Sequence, residues 1–359
     1  MNADDMPLVE CPVEPRARGR AHGEALRGAI RDKIERWHAA IGEAYGVPAA
    51  RFLPRLLAET DFRPAIERHV PDLAREMMGI GEGAAIDPDT AYTLQLMDEE
   101  WWFGRSLADG HCSSLAAAPA GAHGAIAAQT MDLPRWHDGA QAVLLLAEAD
   151  GTRTAVFTSA GMIGLMGAAG RGLAICVNTL SQLAVRADGL PVAFVMRGAL
   201  GCASIDDASA FLRGVAHASG QNYQLADRTG IATLECSAGG AASVAIANGR
   251  SLHTNHPLAS RDSRVDETRF AGSPDSRARL ESLRADLGGL APEHVDADAV
   301  RAALAACRPQ GAVSIVPPSG APITESMTMG AIVSEVADAV SVSVCPGPPS
   351  REAWRSISL

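Results

Sequence analysis

The fold depends on the stretch SLADGHCSSLAA, residues 106–117. Asp109-Gly110 is a dipeptide typical of a tight turn, and the small polar pair Ser113-Ser114 leads into an apolar run that predicts a strand. Cys112 stands between the turn and the strand. The sequence changes character across this cysteine, from helical periodicity before it to short apolar runs after it.

The residues before Ser106 predict helices. From Gly19 to Gly42, charged and apolar residues alternate at helical spacing. Three further helices are predicted at 51–57, 71–79 and 88–102, where Pro71 and Pro88 mark two of the starts and the glycines from Gly79 onward mark one end.

After Ser106, short apolar runs separated by glycine predict strands. Asp150-Gly151 predicts the turn of one hairpin, and residues 221–238 predict another. Helices are expected at 205–217, where Ser204 is a typical cap, and at 276–287 and 297–307, before two last strands within 328–345. Antiparallel hairpins between helical blocks predict an α+β layered fold in one domain.

Charge and composition exclude several classes of protein. The chain has 359 residues and a formal net charge of −11, so no basic surface for nucleic acid or an anionic membrane is expected. Lys33 is the only lysine, and it lies in a helical pattern of solvated charge. The glycines at 164–172 lead into a strand-like run, so they do not form a dinucleotide fingerprint. No cofactor is expected.

The seven cysteines predict free thiols. Their number is odd, their spacing is wide, and no C-x-x-C pair occurs, so neither a disulfide framework nor a zinc knuckle is indicated. The acidic, proline-broken N-terminus does not resemble a secretory signal, and no apolar stretch of about 18 residues predicts a membrane span. We therefore expect a cytoplasmic protein.

Cys112 has the neighbours most typical of a reactive cysteine. Most of the other cysteines lie in apolar runs, where a thiol behaves as a small hydrophobe. From its own surroundings alone, Cys112 is equally well read as a partly buried thiol next to a turn.

Four motifs in order resemble a known family. They are HCSS at 111–114, AAQTMDL at 127–133, GLMGAAGRGLAICVN at 164–178 and HTNHP at 253–257. Together with the ARGRAHGEALRGAI segment near the start and the TMGAIVSEV segment near the end, they resemble the acyltransferases and hydrolases around isopenicillin-N N-acyltransferase and carcinine hydrolase. Choloylglycine hydrolases are more distantly similar. The resemblance covers nearly the whole chain.

The resemblance implies an N-terminal nucleophile hydrolase: a four-layer αββα sandwich of two antiparallel sheets between helical layers. Members of the family are made as precursors and cut themselves before the cysteine. Carried over to this chain, one domain of residues 1–359 would be processed into an α chain, 1–111, and a β chain, 112–359. The two fragments would stay associated.

Self-cleavage would give Cys112 its own base. A thiol is weakly ionised at neutral pH, whereas a free α-amino group has a pKa near 7.7–8.0. Cutting after His111 would place that amine on the same residue as the sulfur, which is the N-terminal version of the nucleophile–base pair. The expected substrate is a small N-acyl amine or acyl thioester, with water or an amine accepting the acyl group.

The resemblance also implies roles for other residues. Asp132 would hold the new α-amino group, Asn255 would donate to the oxyanion through its side-chain amide, and Arg277 would lie near the cysteine. Ala169 stands where relatives often carry asparagine, and its backbone N–H is a further candidate oxyanion donor. Each has a plainer interpretation: Asp132 as a turn cap, Asn255 as a loop residue, and Arg277, like nearby Arg279 and Arg284, as a helix-surface charge.

A metal site is not expected, whereas the type of protein and its oligomeric state stay open at this point. His253 and His256 lie three residues apart without a further metal-binding side chain, so no metal site is expected. The chain could be an uncleaved binding protein of the same fold, or a conventional cysteine hydrolase with His111, His123 or His256 as base. Formation of a homo-oligomer is open.

Overall fold

The structure is a computed structural model that describes residues 3–104, 112–262 and 274–359. His111, the residue before the predicted cleavage point, lies outside the described residues. Residues 3–104 form one strand and seven helices: β1 (Leu8–Cys11), α1 (Pro15–Ala25), α2 (Arg27–Tyr45), α3 (Ala49–Glu59), α4 (Arg63–His69), α5 (Pro71–Ala84), α6 (Pro88–Thr93) and α7 (Met97–Gly104).

Glycines bring α1 and α5 into direct backbone contact. A Cβ atom on Gly19 would lie 1.8 Å from the carbonyl oxygen of Glu76, and one on Gly83 would lie 2.3 Å from that of Arg20. Gly23 and Gly79 are equally crowded, so each helix presents two glycines four residues apart to the other. The ARGRAHGEALRGAI segment therefore packs closely against α5 because its glycines have no side chains at the contact.

The first sheet has eight strands in the order β1-β4-β5-β6-β7-β8-β9-β10. Its strands after β1 are β4 (Gln141–Ala147), β5 (Arg153–Ser159), β6 (Met166–Ala169), β7 (Leu173–Thr179), β8 (Gln221–Asp227), β9 (Gly230–Ser237) and β10 (Gly240–Ser243). Strand β1 pairs with β4 in parallel, which departs from the fully antiparallel sheet that we expected. A segment from before the predicted cleavage point thus forms the edge of this sheet.

The second sheet has six strands in the order β11-β2-β3-β12-β13-β14, all antiparallel. They are β2 (Ser113–Ala117), β3 (Ala125–Pro134), β11 (Arg250–His253), β12 (Ser326–Val336), β13 (Val340–Cys345) and β14 (Arg355–Ser358). Strand β2 begins directly after Cys112 and lies between β11 and β3.

The sheets pack face to face between helices. Strands β2 and β3 lie against β7, β8 and β9 of the other sheet. The helices α8 (Val192–Leu200) and α9 (Ile205–Gly214) pack on the first sheet, and α10 (Pro274–Leu287) and α11 (Ala297–Leu304) pack on the second. The predicted α+β fold with four αββα layers is confirmed.

Most elements agree with the sequence predictions where local chemistry decides them. Gly151 has a φ of 84°, which the predicted hairpin turn requires, and Ser204 caps α9 by accepting from the Asp207 amide. The strands β1, β6, β10, β11 and β14 and the helices α4 and α8 were not predicted. Helix α8 is buried almost all round, so it lacks the polar face on which a periodicity argument depends.

Candidate active site

Cys112 directly precedes β2 and is buried. Its side chain is 4% exposed, and Sγ lies 3.6 Å from Met131 Sδ and 3.9 Å from the Asp132 carbonyl oxygen. Burial, followed by the negative charge of Asp132, raises the pKa of this thiol to about 12 in the uncut chain. The thiol is therefore protonated at neutral pH and needs a base before it can act as a nucleophile.

Arg279 of α10 joins the cysteine to the rest of the site. Its guanidinium is fully buried and donates from Nη1 to the Cys112 carbonyl oxygen at 2.7 Å and to Ser113 Oγ at 2.9 Å. Nη2 donates to Asn255 Oδ1 at 3.0 Å, and Nε donates to Asp275 at 2.7 Å. Since Asp275 supplies a counter-charge within the same helix, the arginine stays charged while it holds three separate segments together.

Arg279 also fixes which way the Asn255 amide points. Arginine has no acceptor, so the atom that faces it must be the amide oxygen. The amide nitrogen then points away and donates to the Thr179 carbonyl oxygen at 3.0 Å, at the end of β7. The Asn255 backbone is held as well, because its N–H donates to Ser276 Oγ at 2.9 Å.

Asp132 is 2% exposed and faces the next strand of its sheet. It accepts a hydrogen bond from the Thr328 hydroxyl on β12. That hydroxyl in turn accepts from the Ile315 amide at 2.8 Å, so its single proton is directed to the carboxylate. A register shift in β12 between Thr328 and Gly330 lies beside this pair, as bulges often do next to functional sites.

Gln129 connects the two sheets beneath the cysteine. Its side-chain oxygen accepts from the Val177 amide at 2.8 Å, and its side-chain nitrogen donates to the Val177 carbonyl. The Ser114 hydroxyl makes a second connection by donating to the Asn178 side-chain oxygen. These paired polar groups fix β2 and β3 against β7, which sets the depth of Cys112 between the sheets.

A pocket opens above Cys112, with about 450 Å³ of empty space, part of it continuous with solvent. Its walls are mainly apolar and include four methionines. Asp98 and Trp101 of α7 line it on one side, and Asp132 lines it on another. Asp98 accepts from the Thr179 hydroxyl at 2.5 Å, and burial raises its pKa to about 6.

Two residue assignments from the sequence need correction. Arg277 is exposed, whereas Arg279, about 200° further round the helix, is buried on the Cys112 carbonyl. The arginine of the site is therefore Arg279. Ala169 lies in β6, paired with Thr154 and Leu173, and it does not line the pocket at Cys112. Its N–H is not placed to act as an oxyanion donor.

His123, His253 and His256 each have hydrogen-bond partners other than the Cys112 thiol. His123 makes ring hydrogen bonds to the carbonyl oxygens of Gly124 and Pro292, at the end of the β2–β3 hairpin opposite Cys112. His256 lies 2.8 Å from Ser276 Oγ, and burial lowers its pKa to about 4. His253 is fully buried against Glu235 at 2.8 Å. Among residues 3–104, 112–262 and 274–359, no group of three or more His, Cys, Asp or Glu side chains is arranged to hold a metal ion.

The sequence contained signals for residues that we did not single out. Asp275 and Arg279 are four residues apart with the acid first, a spacing that favours a helical ion pair. The run DEEWW at 98–102 has three acids inside a helix that is otherwise apolar. Acids in such a setting are buried at a cost, and buried acids mark functional sites more often than exposed ones do.

The two sheets packed face to face between helices, with Cys112 directly before a strand of one sheet, form the arrangement that the resemblance to N-terminal nucleophile hydrolases implied. Residues 123–299, just under half of the chain, match the family model described as AAT, acyl-coenzyme A:6-aminopenicillanic acid acyl-transferase. The resemblance seen in the sequence agrees with this family model over the matched segment, which contains Asp132, Asn255 and Arg279.

Among solved structures, the chain is similar to the penicillin V acylase from Agrobacterium tumefaciens, at 15% identity with a TM-score of 0.44. The similarity covers 69% of this chain and 86% of that one. No curated protein sequence matches the chain. No helix in the described part of the chain has the length and apolar character needed to cross a membrane. Over residues 123–299, the chain is thus similar to a family of acyltransferases.

Proposed function

We propose that the chain is a self-cleaving cysteine amidohydrolase or acyltransferase whose nucleophile is Cys112. One observation carries the proposal: the buried Arg279 guanidinium bonds both the Cys112 carbonyl and the Asn255 side chain, while the Cys112 sulfur contacts the Asp132 carbonyl. Segments up to 167 positions apart in the sequence therefore meet at one thiol that lines a pocket.

Self-cleavage would proceed through a shift of the acyl group from nitrogen to sulfur. The Cys112 sulfur attacks the His111 carbonyl carbon, a C–S bond forms, and the C–N bond to Cys112 breaks. The thiol proton passes to the departing nitrogen, which becomes the free α-amine. Water then hydrolyses the thioester, which gives residues 1–111 as the α chain, residues 112–359 as the β chain, and a restored thiol.

Turnover of substrate would repeat this chemistry with the new amine as base. In the uncut chain burial keeps the thiol protonated, with a pKa near 12, so an amine on the same residue supplies the missing base. Asp132 is suited to hold that amine as an ammonium by a charge-assisted hydrogen bond. The Asn255 amide N–H is suited to stabilise the oxyanion, and Arg279 keeps this amide in the required orientation.

The substrate class follows from the acyl-enzyme. An acyl group on Cys112 comes from a small N-acyl amine or an acyl thioester and leaves to water or to an amine. The family description names acyl-coenzyme A and 6-aminopenicillanic acid, which makes an aryl-acetyl thioester and a penicillin suitable first probes. A cytoplasmic setting fits, since all seven cysteines are free thiols.

The test is the state of the purified chain on a denaturing gel, followed by N-terminal sequencing and intact mass. We expect two fragments, the larger beginning Cys-Ser-Ser-Leu, and a mass increase on that fragment after incubation with an acyl thioester. Cys112→Ala should give one intact chain without acylation. Cys236→Ala, which removes a fully buried cysteine of β9, is the matched control and should behave as wild type.

Two results would defeat the proposal. An intact wild-type chain that hydrolyses amides at full rate would show that no cleavage is needed. Acyl transfer that survives Cys112→Ala would show that another residue is the nucleophile.

A further inference from the structure

Asp98 is a carboxyl group inside the pocket of the proposed nucleophile. It is 4% exposed and lines the same pocket as Cys112. Its hydrogen-bond partners are neutral: the Thr179 hydroxyl at 2.5 Å and the Gln221 side chain. Among the residues that the structure describes, no basic side chain forms an ion pair with it. A buried carboxylate without a cation is costly, so this position needs an explanation.

Trp101 provides a second group suited to a cation. It lies three residues after Asp98 on α7, which places both side chains on the same side of the helix. Trp101 is 8% exposed and also lines the pocket. A carboxylate beside an indole is a combination that binds ammonium groups, because the ring face attracts a cation and the carboxylate pairs with it.

The rest of the pocket strengthens this combination. The side chains of four methionines line the pocket: Met97, Met131, Met162 and Met196. Methionine side chains are apolar and flexible, so they adapt to the shape of a ligand. Asp98 is 4% exposed, so its charge is weakly screened by solvent. Burial raises the Asp98 pKa to about 6, and an ammonium partner would relieve the cost that this shift reflects.

We propose that Asp98 and Trp101 select a substrate that carries a protonated amine, in its acyl group or its leaving group, in addition to the bond that Cys112 attacks. This inference rests on the proposed function, since it assigns the substrate of the same site. The ammonium group lies against Asp98 and Trp101 while the scissile carbonyl lies at the sulfur.

The experiment uses two matched pairs of substrates with the processed enzyme. The first pair is 6-aminohexanoyl-p-nitroanilide and heptanoyl-p-nitroanilide, which differ by ammonium against methyl in the acyl group. The second pair is N-(5-aminopentyl)phenylacetamide and N-hexylphenylacetamide, which differ in the same way in the leaving group. The quantity measured is the ratio of kcat/KM within each pair.

We expect wild type to favour the ammonium member of at least one pair by about 10- to 100-fold. Asp98→Asn should abolish or invert that ratio, and Trp101→Leu, which keeps an apolar wall, should reduce it by several-fold. Asp188→Asn, at an exposed acid paired with Arg186, should leave both ratios unchanged. Equal turnover within both pairs in wild type, or a ratio that survives both pocket variants, would overturn the inference.

A binding measurement separates this inference from the proposed function. Calorimetry on wild type should detect n-pentylammonium but not 1-pentanol, and Asp98→Asn should abolish the difference. If wild type turns over none of the amides but binds the cation through Asp98, the proposed chemistry fails and the cation site stands. If it acylates Cys112 but shows no preference for ammonium, the cation site fails and the chemistry stands.

Discussion

Helix α10 contacts the backbone of Cys112 and helix α7 lines its pocket, and the two helices bury charge in opposite ways. On α10, the Arg279 guanidinium has a carboxylate partner, Asp275, and donates to three further oxygen atoms. On α7, the consecutive acids Asp98, Glu99 and Glu100 are buried and have only neutral donors as hydrogen-bond partners in the described part of the chain.

The difference shows in the pKa values. Burial raises the pKa of Glu100 to about 7, although the Trp37 indole donates to it at 2.6 Å and the Tyr45 hydroxyl at 3.1 Å. Burial also raises the pKa of Asp98 and Glu99, and for Glu99 the neighbouring Asp98 charge adds to the effect. A charge with its own counter-ion can serve as a fixed support, whereas a charge without one responds to pH and to ligands.

The comparison is tested most strongly by replacing the two arginines of α10. Arg279→Met should lower both self-cleavage and kcat/KM by about 1,000-fold, because it leaves the Cys112 carbonyl and Asn255 without their shared donor. Arg277→Met, two residues earlier and exposed, should stay within about twofold of wild type. Rates from gel densitometry and p-nitroanilide release measure both. Equal losses in the two variants would mean that Arg279 is not specially placed.

Replacing Asn255 tests whether Arg279 of α10 orients the Asn255 side-chain amide as an oxyanion donor. Asn255→Ala should lower kcat by about 100-fold or more, as loss of one oxyanion donor does. Asn255→Asp keeps an acceptor for Arg279 but has no N–H, so it should lose about as much. Steady-state kinetics on chains confirmed as processed gives the values. Full activity of the aspartate variant would show that pairing with Arg279 is the whole role of this residue.

Replacing Glu100 tests whether the buried acids of α7, which have no counter-ion among the described residues, make the stability of the protein depend on pH. Its folded pKa, about 7, lies above its ordinary value of 4.5, so the folded state holds the proton more tightly. The stability that this group contributes is full below about pH 4.5 and is lost as pH rises through about 7. Between pH 4.5 and 8, the free energy of unfolding should fall by about 3 kcal/mol more in wild type than in Glu100→Gln.

Denaturant titrations at several pH values, in a Cys112→Ala background that keeps one uncut chain, measure this difference. Glu67→Gln, at an exposed position of α4, is the control and should follow its parent. Parallel pH profiles for Glu100→Gln and its parent would mean that Glu100 is not buried as the structure has it.

Some of the site could be predicted from the sequence because its signals are local. Cys112 follows a turn and precedes a strand, Asp132 ends an apolar strand, and Asn255 lies in a motif that resembles the family. The hairpin at Gly151 and the cap at Ser204 are likewise decided by a few neighbouring residues, since turn geometry and capping are short-range.

Other parts of the site depend on which face of an element is buried. Helix α10 has arginines at several positions, and its sequence has almost no apolar stripe that would identify the inner face. The choice of Arg279 over Arg277 is made by a contact with Cys112 across 167 residues of chain. The same holds for Asp98, which lines the pocket of Cys112 because α7 packs beside the ends of β7 and β8.

From the sequence by itself, the resemblance to a known family made Cys112, Asp132 and Asn255 candidate site residues. The alternation of helical blocks with hairpins followed from turns, caps and periodicity, because these signals involve only a few neighbouring residues. Only the tertiary structure decided which arginine contacts Cys112, that Ala169 lies away from the pocket, and that the three acids of α7 are buried with Asp98 lining the pocket. Those outcomes depend on burial, and burial is fixed by how distant segments pack against one another.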